Sequence, residues 1–274
     1  MALHQQIQAA LAKRVFSSPS PPDSWPGYAG YTRRAEDNFV TGLDLRSIKK
    51  DLNRGQGSEL KAAKNRPPKF HAAHSSSALI INTLGVFRDC TTGLQLAGTT
   101  AFDTLEFEYP CPTGAGRGVA NLDVIAQSEE CVVGIESKLC EILQPKPAHF
   151  SSKYDPVVTS LADDCWAAFF HDMKRNPLVY RHVDGAQLVK HYLGLRNTFN
   201  RKRAKLVYLF WEPENATRHE KYRLHATEIN GLTERLALSS IPLVPMRYSE
   251  LWASIEQDKP NHVKLLRQRY SLVV

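Results

Sequence analysis

The chain has 274 residues, of which 42% are hydrophobic and 23% are charged, a composition typical of a globular protein with enough length for a buried core. No apolar run is long enough to span a bilayer and no secretory signal opens the chain, so a membrane or secreted protein is not expected and a cytoplasmic location is the default. The net charge of +7 allows contact with nucleic acid, whereas the five widely spaced cysteines support neither a zinc site nor a disulfide framework.

The first 27 residues are predicted to be an arm, followed by a single domain over residues 28–274. A short amphipathic helix is indicated by apolar residues at helical spacing, namely Leu3, Ile7, Leu11 and Val15. Residues 17–26 contain four prolines and four serines, which is typical of an extended linker. The arm would pack on the body or on a partner subunit, which leaves a homodimer open.

Two helices are predicted next. Residues 36–53 carry apolar residues at helical spacing, and Gly55 follows as a stop signal. After a polar segment that contains Glu59, residues 76–84 are predicted to form a second helix, because serines precede it and Gly85 follows it. This helix is apolar nearly all round, so we expect it to be buried against a sheet.

Three strands follow, at residues 102–109, 119–126 and 131–139. The first strand is predicted to carry Glu106 and Glu108 on one face. Residues 111–118 superficially resemble a phosphate-binding loop, but they lack its Gly-Lys-Ser/Thr ending and are interpreted as a flexible connection between strands. The second and third strands flank a polar turn and are predicted to form a hairpin.

Three charged residues are predicted to converge on this hairpin. Glu136 and Lys138 lie two residues apart on one strand, so their side chains point to the same face. Asp123, on the preceding strand, reaches that face if the register is suitable. Charges on strands this apolar are costly unless they are paired or bound to a metal. The alternative interpretation is a Glu–Lys ion pair beside an unrelated aspartate.

The remaining elements complete an α/β pattern. Helices are predicted over residues 157–172 and 185–198, and a buried strand over residues 206–211. They are followed by a helix, an edge strand and a terminal helix, at residues 218–237, 241–246 and 248–255.

The charged residues on the hairpin resemble a known signature. Asp123, followed after twelve residues by Glu136-Ser137-Lys138, resembles the signature of the PD-(D/E)XK nuclease superfamily, although Leu122 stands where the signature has proline. The predicted order of helix, three strands, helix and strand, over about residues 75–211, resembles the α-β-β-β-α-β core of this restriction-endonuclease-like fold. In that fold a mixed central sheet is flanked by helices. The serine-rich helix start also resembles a bacterial group of restriction-type nucleases.

The resemblance implies a Mg²⁺-dependent hydrolase that cleaves DNA phosphodiester bonds. Asp123, Glu136 and the main-chain carbonyl of Ser137 would hold Mg²⁺, for which Mn²⁺ could substitute. Lys138 would orient or deprotonate the attacking water and stabilise the transition state, with a pKa that burial can lower.

Further residues are weaker candidates, each with a plain alternative. Additional carboxylate ligands could come from Glu59, Glu106 and Glu108, or these could be surface and edge residues. Gln187 and Lys190 resemble a motif on the helix after the active site of exonuclease-like members and could touch phosphate, or they form an ordinary polar helix face. Arg201, Lys202 and Arg203 are predicted to bind DNA, with a solvated charged face as the alternative.

The function expected from these observations is DNA cleavage by an endonuclease of restriction or defence type. One alternative is a nuclease fold kept as a DNA-binding or assembly subunit, with the acidic site poorly formed. Another is a structure-specific nuclease, such as a junction resolvase or a 5′-end exonuclease. The complete Asp/Glu/Lys set favours an enzyme over a binding subunit.

Overall fold

A five-stranded mixed sheet forms the centre of the fold, and helices flank it. The structure is a computed structural model that describes residues 1–18, 20–40, 42–43, 45–54, 59–63 and 66–274. A separate two-stranded sheet precedes the central sheet. The strands are, in chain order, β1 (Ser24–Trp25), β2 (Tyr28–Thr32), β3 (Thr104–Pro112), β4 (Val119–Gln127), β5 (Cys131–Lys138), β6 (Arg203–Phe210) and β7 (Leu243–Arg247).

Nine α-helices occur in the described ranges. They are α1 (Leu3–Phe16), α2 (Leu45–Arg54), α3 (Ser76–Leu84), α4 (Tyr154–Leu161), α5 (Asp164–Arg175), α6 (Gly185–Thr198), α7 (Glu220–Arg235), α8 (Tyr248–Ile255) and α9 (Pro260–Tyr270). A helix that could cross a membrane is not found in this part of the chain.

The sheet changes direction at β5. Strands β3, β4 and β5 pair antiparallel, whereas β5, β6 and β7 pair parallel. Parallel neighbours need a long crossover, and α6 supplies a helix in the connection from β5 to β6. In the β5–β6 register, Glu136 pairs with Tyr208 and Lys138 with Phe210. Both charged residues therefore lie at the carboxyl ends of parallel strands, where α/β sheets commonly bind ligands.

The predicted fold class and the order of its core elements are confirmed. Helix α3 begins as expected, because the Ser75 hydroxyl accepts a hydrogen bond from the amide of Ala78 at 3.1 Å. The helix ends at Leu84 with Gly85 as its C-cap, as predicted, although Gly85 has a φ of −59°, outside the left-handed region, and a short 3-10 turn follows. A Cβ at Gly85 would lie 3.1 Å from Leu43 Cδ2, so glycine permits close packing there.

The predicted helix over residues 36–53 is wrong in its first half. A 3-10 turn at Ala35–Asn38 is followed by extended backbone, and the α-helix begins at Leu45. The Asn38 amide group donates to the carbonyls of Phe70 and Ala72, and the Val40 amide donates to Asn82 Oδ1 at 2.9 Å. These long-range hydrogen bonds hold the backbone out of a helix. Gly55 lies outside the described residues.

The predicted helix over residues 157–172 is two helices, α4 and α5. The break occurs at Asp163, whose carboxylate accepts from the Trp166 amide at 3.1 Å and caps α5. Its own amide donates to Tyr192 Oη at 2.9 Å. The hydrogen bonds made by Asp163 therefore divide a segment whose continuous apolar pattern had predicted one helix.

Both ends of the chain pack on the body. Helix α9 was not predicted, although it begins with a proline and buries Val263, Leu266 and Tyr270 at helical spacing. Helix α1 is confirmed as a helix and packs against β2 and α9 of the same chain. Ile7 and Leu11 of α1 are fully buried in these contacts.

Candidate active site

Glu136 and Lys138 form a buried ion pair at the end of β5. Their side chains are 2% and 9% exposed, and Lys138 Nζ lies 2.5 Å from Glu136 Oε1. Lys138 Nζ also donates to Gln187 Oε1 at 2.7 Å. The structure thus brings together three of the predicted site residues, with Gln187 supplied by the first turn of α6.

His191 joins this group and was not predicted. Its Nε2 lies 2.6 Å from Glu136 Oε2, a contact that is an ion pair when the imidazole is protonated. The approach is not aligned as a hydrogen bond, and Glu136 Oε2 has no aligned donor among the described residues. His191 follows Gln187 by four residues, so both lie on one helix face. That spacing was the available sequence signal.

Asp123 is held beside this pair by the backbone of β5. The amide of Ser137 donates to Asp123 Oδ2 at 2.6 Å. The Ser137 hydroxyl lies 2.6 Å from Tyr248 Oη and donates to the carbonyl of Ser76 at 3.2 Å. Contacts on both sides therefore fix the strand at Ser137. The metal-binding role of its carbonyl stays a prediction.

Glu108 and Glu106 lie in different places, although they were predicted to share a face. Glu106 forms an ion pair with Arg54 at 2.6 Å, away from Asp123. Glu108 adopts a φ of 49°, in the left-handed region, and is 5% exposed. Phe107 pairs with Val124 and Tyr109 with Leu122, so Glu108 lies opposite Asp123. The unusual backbone turns one carboxylate into the site and leaves the other outside.

A cleft of about 410 Å³ runs along these acidic residues. Glu59, a candidate from the sequence, lies in it at 7% exposure and pairs with Lys69 at 3.3 Å. Lys190 also lies in the cleft, near the rings of Phe150 and Tyr154, and burial lowers its pKa. The predicted site residues that line the cleft are Glu59, Glu108, Asp123, Gln187 and Lys190.

The carboxylates in the cleft repel one another. Burial, and then the charges of Glu136 and Glu108, raise the pKa of Asp123 well above its usual value. Burial, and then the charges of Glu59 and Glu136, raise the pKa of Glu108 to about 8. Like charges and burial both disfavour ionisation of a carboxyl group. Without a bound cation, burial and mutual repulsion therefore both oppose the ionised form of Asp123 and Glu108.

Opposing effects act on the buried ion pair. Burial alone would lower the pKa of Lys138, but the charges of Glu136 and Glu141 outweigh it and raise this pKa. Burial alone would raise the pKa of Glu136, but Lys138 and His191 outweigh it and lower this pKa. Both groups are therefore ionised at neutral pH. The net shift on Lys138 is opposite to the expected one, because its carboxylate partner lies so close.

The basic run at Arg201, Lys202 and Arg203 is not brought to the site. Arg203 pairs with Cys131 in the β5–β6 register, seven residues from the pairing of Lys138. At about 3.3 Å per residue, that separation is about 23 Å along the strand. The Lys202 ammonium donates to the Ser128 carbonyl at 2.7 Å, and Arg203 pairs with Glu130. The run therefore lies beside the β4–β5 turn, and its DNA-binding role stays a prediction.

The donor set of the cleft suits Mg²⁺. No group of three or more His, Cys, Asp or Glu side chains within the described ranges is arranged to hold a metal ion. Mg²⁺ does not require such a cage, since it usually keeps several waters and binds one or two carboxylates with substrate phosphate. A cation would relieve the repulsion that, together with burial, raises the pKa of Asp123 and Glu108, and Glu136 Oε2 would offer a further oxygen without an aligned donor.

Comparison with known proteins gives one family. A family model described as restriction endonuclease associating with ARP matches residues 7–271. No curated protein and no solved structure gives a significant match. The match extends from α1 into the segment after α9, so it covers the cleft and every predicted site residue.

Proposed function

The chain belongs to the family described as restriction endonuclease associating with ARP, and we propose on that premise that it cleaves DNA by Mg²⁺-dependent hydrolysis of phosphodiester bonds. The observation that carries the proposal is the convergence of Asp123, Glu136 and Lys138 at one end of β5. A DNA-binding subunit without activity would have no need to bury a lysine between a carboxylate and Gln187, since burying charged groups costs free energy.

Lys138 acts in this proposal as a fixed positive charge. It remains an ammonium group because Glu136 raises its pKa, so it does not take a proton from water. An ammonium has three hydrogen-bond donors, of which Glu136 and Gln187 accept two. The third is available to an oxygen of the scissile phosphate, where negative charge develops during attack. Three roles were expected for Lys138, namely orienting water, deprotonating water and stabilising the transition state, and an ammonium group is compatible with the first and the third only.

The other residues bind, orient and accept a proton. Mg²⁺, when bound to oxygens of Asp123 and Glu136, would polarise the phosphate and acidify a water molecule. Gln187 and His191 hold Lys138 and Glu136 in position from α6. Without a cation Glu108 has a pKa of about 8 and is mainly protonated at neutral pH; a bound cation would lower this pKa and free the carboxylate to accept a proton from the attacking water.

Cleavage of plasmid DNA tests the proposal. We expect nicked and linear products with millimolar Mg²⁺ and none with excess EDTA. Glu108→Gln should lower the rate by about 10²-fold, the usual scale for loss of acid–base assistance. Glu106→Gln is the matched control, because Glu106 lies on the same strand and pairs with Arg54 outside the cleft. Intact plasmid under all conditions, or equal effects of the two variants, would contradict the proposal.

The salt dependence of DNA affinity tests which basic residues contact phosphate. Lys69 and Lys146 line the cleft with side chains 73% and 71% exposed, so we expect both to contact the DNA backbone. Replacing both by alanine should make the log–log salt slope shallower by about 1.8, or about 0.9 for each lost contact. Replacing Arg201 and Arg203, which lie beside the β4–β5 turn, should change the slope less. The reverse order would place the DNA at the basic run.

A further inference from the structure

A second cavity, of about 370 Å³, is lined by Lys138 and adjoins the acidic cleft. We call it the recess. Gln187 lines both spaces, and its amide oxygen accepts a hydrogen bond from Lys138 Nζ. An ion pair at 2.6 Å between Lys146 and Asp184 also borders both. The recess therefore adjoins the place where the scissile phosphate would lie, yet no role in the proposed chemistry uses it.

The walls of the recess are fixed by specific hydrogen bonds. Glu228 of α7 accepts the amides of Arg181, His182 and Val183 at 2.9, 2.8 and 3.0 Å. The Nδ1 atom of His182 lies 2.9 Å from the carbonyl of Ile142, which also lines the recess. A carboxylate that accepts three backbone amides holds a loop in one conformation. The recess is thus a built cavity and not an accidental gap between loops.

The lining combines apolar surface inside with cations at the mouth. Ile142, Val183 and Tyr208 line the recess and are each at most 2% exposed, so its interior is closed by buried, largely apolar side chains. At the mouth, Arg181 is exposed and forms no ion pair with any described residue. A nucleobase has apolar faces and hydrogen-bonding edges, and it is joined to a phosphate. Cavities of this volume fall in the range of small-molecule sites.

We propose that the recess receives the base of one unpaired nucleotide next to the scissile phosphate, with Arg181 contacting its phosphate. This inference rests on the proposed nuclease function and names its substrate class as a strand with an unpaired nucleotide. A base in a duplex is stacked and paired, so it enters a cavity only after it is extruded. The ridge formed by Lys146 and Asp184 would separate the base in the recess from the phosphate in the cleft.

The first test measures binding in EDTA, where no cleavage is expected. The probes are a single-stranded deoxyadenosine hexamer, an abasic hexamer with the same phosphates, and deoxyadenosine monophosphate. We expect the adenosine hexamer to bind about tenfold more tightly than the abasic hexamer, since burying and stacking one base contributes on that scale. Equal affinities for the two hexamers would overturn the proposal. A mononucleotide that binds as tightly as the adenosine hexamer would identify a free nucleotide as the occupant and also overturn it.

Substitutions of residues that line the recess test whether the base binds there. Val183→Phe fills it and should reduce the tenfold preference to about onefold, whereas Val183→Ala should keep the preference. If Val183→Phe does not fold, Arg181→Ala tests the assignment instead. Its matched control is Arg201→Ala, which removes the same charge at the other end of the sheet. We expect Arg181→Ala to lose at least about fivefold more affinity for the adenosine hexamer than Arg201→Ala does. Equal losses would refute the assignment.

The two proposals fail in different ways. If the preference for the adenosine hexamer persists but plasmid DNA stays intact with Mg²⁺, the nuclease function is wrong and the recess is a nucleotide site of another kind. If plasmid is cleaved but the hexamers bind equally, the nuclease function stands and the recess does not take a base.

Discussion

Replacing Lys138 by alanine is expected to lower the rate of DNA cleavage by about 10²–10³-fold, while affinity for DNA changes little. The loss is that of one donor aimed at charge that develops in the transition state. Affinity is expected to persist because the exposed lysines of the cleft supply more of the contacts to the DNA backbone than the single donor of the buried Lys138, which acts mainly on charge that develops in the transition state. Single-turnover cleavage at saturating enzyme measures the rate, and anisotropy of a labelled duplex in EDTA measures the affinity.

This substitution also removes one partner of a buried ion pair, so its stability must be measured beside its activity. An unpaired buried charge typically costs about 3–5 kcal/mol, which in this case would fall on Glu136. Lys138→Arg keeps the charge and is expected to retain stability better than activity, because a guanidinium has a different shape. A thermal melt of each variant separates unfolding from loss of chemistry. Wild-type rates in a folded Lys138→Ala protein would remove Lys138 from the mechanism.

Replacing Asp123 by asparagine is expected to raise the melting temperature of the metal-free protein and to abolish its response to Mg²⁺. The shape is preserved, while a carboxyl group whose ionised form is disfavoured by burial and by the charges of Glu136 and Glu108 is removed. Two unit charges about 5 Å apart repel by about 3 kcal/mol at an effective dielectric constant of about 20, before screening. If part of that free energy is gained as stability, the melting temperature should rise by about 5 °C for a chain of this size. Millimolar Mg²⁺ should stabilise the wild type by binding the native state, and this shift should largely vanish in Asp123→Asn.

The same repulsion predicts how stability depends on pH. A carboxyl group whose pKa is higher in the folded than in the unfolded state favours folding at low pH. Its stabilising contribution is complete at a pH below the pKa of the unfolded state and is lost as the pH rises through the pKa of the folded state. For Glu108 that window extends from about 4.5 to about 8. The metal-free wild type should therefore melt at a lower temperature at pH 8 than at pH 5. Glu108→Gln should reduce this difference.

Two results would contradict this account of the cleft. The first is an Asp123→Asn protein that melts lower than the wild type without metal and still responds fully to Mg²⁺, which would place Asp123 outside any metal site. Alternatively, the wild type could melt at the same temperature at pH 5 and pH 8. That outcome would mean that Glu108 and its neighbours are not in the repelling arrangement described above.

The part of the site that could be predicted is the part encoded by short spacing. Glu136 and Lys138 share a face because strand residues two apart do so, and the structure places them as a pair. The same rule placed Glu106 and Glu108 together and was wrong, because it assumes regular backbone. A φ of 49° at Glu108 breaks that regularity, and nothing in the local alternation of the strand signals it.

Contacts between elements were harder to predict than the elements themselves. His191 reaches Glu136 only because α6 turns this face of the helix toward β5. The rotation of α6 about its own axis is set by its packing against the strands of the sheet. The DNA-binding role of residues 201–203 was predicted from their positive charge. Charge alone does not indicate whether a basic run lies at the end of the sheet that holds the site or at the opposite end. Helix breaks at Val40 and Asp163 likewise depend on partners far along the chain.

The backbone of Glu108 also bears on how this protein would respond to selection. Glycine adopts a φ near 49° freely, whereas other residues pay about 1–3 kcal/mol for it. Glycine at position 108 would remove that strain and, with it, a charge that repels Asp123 and Glu136. A laboratory lineage selected for heat resistance alone would thus drift toward glycine at this codon. A lineage selected for cleavage would keep glutamate. Thermal stability and catalysis therefore favour different residues at position 108.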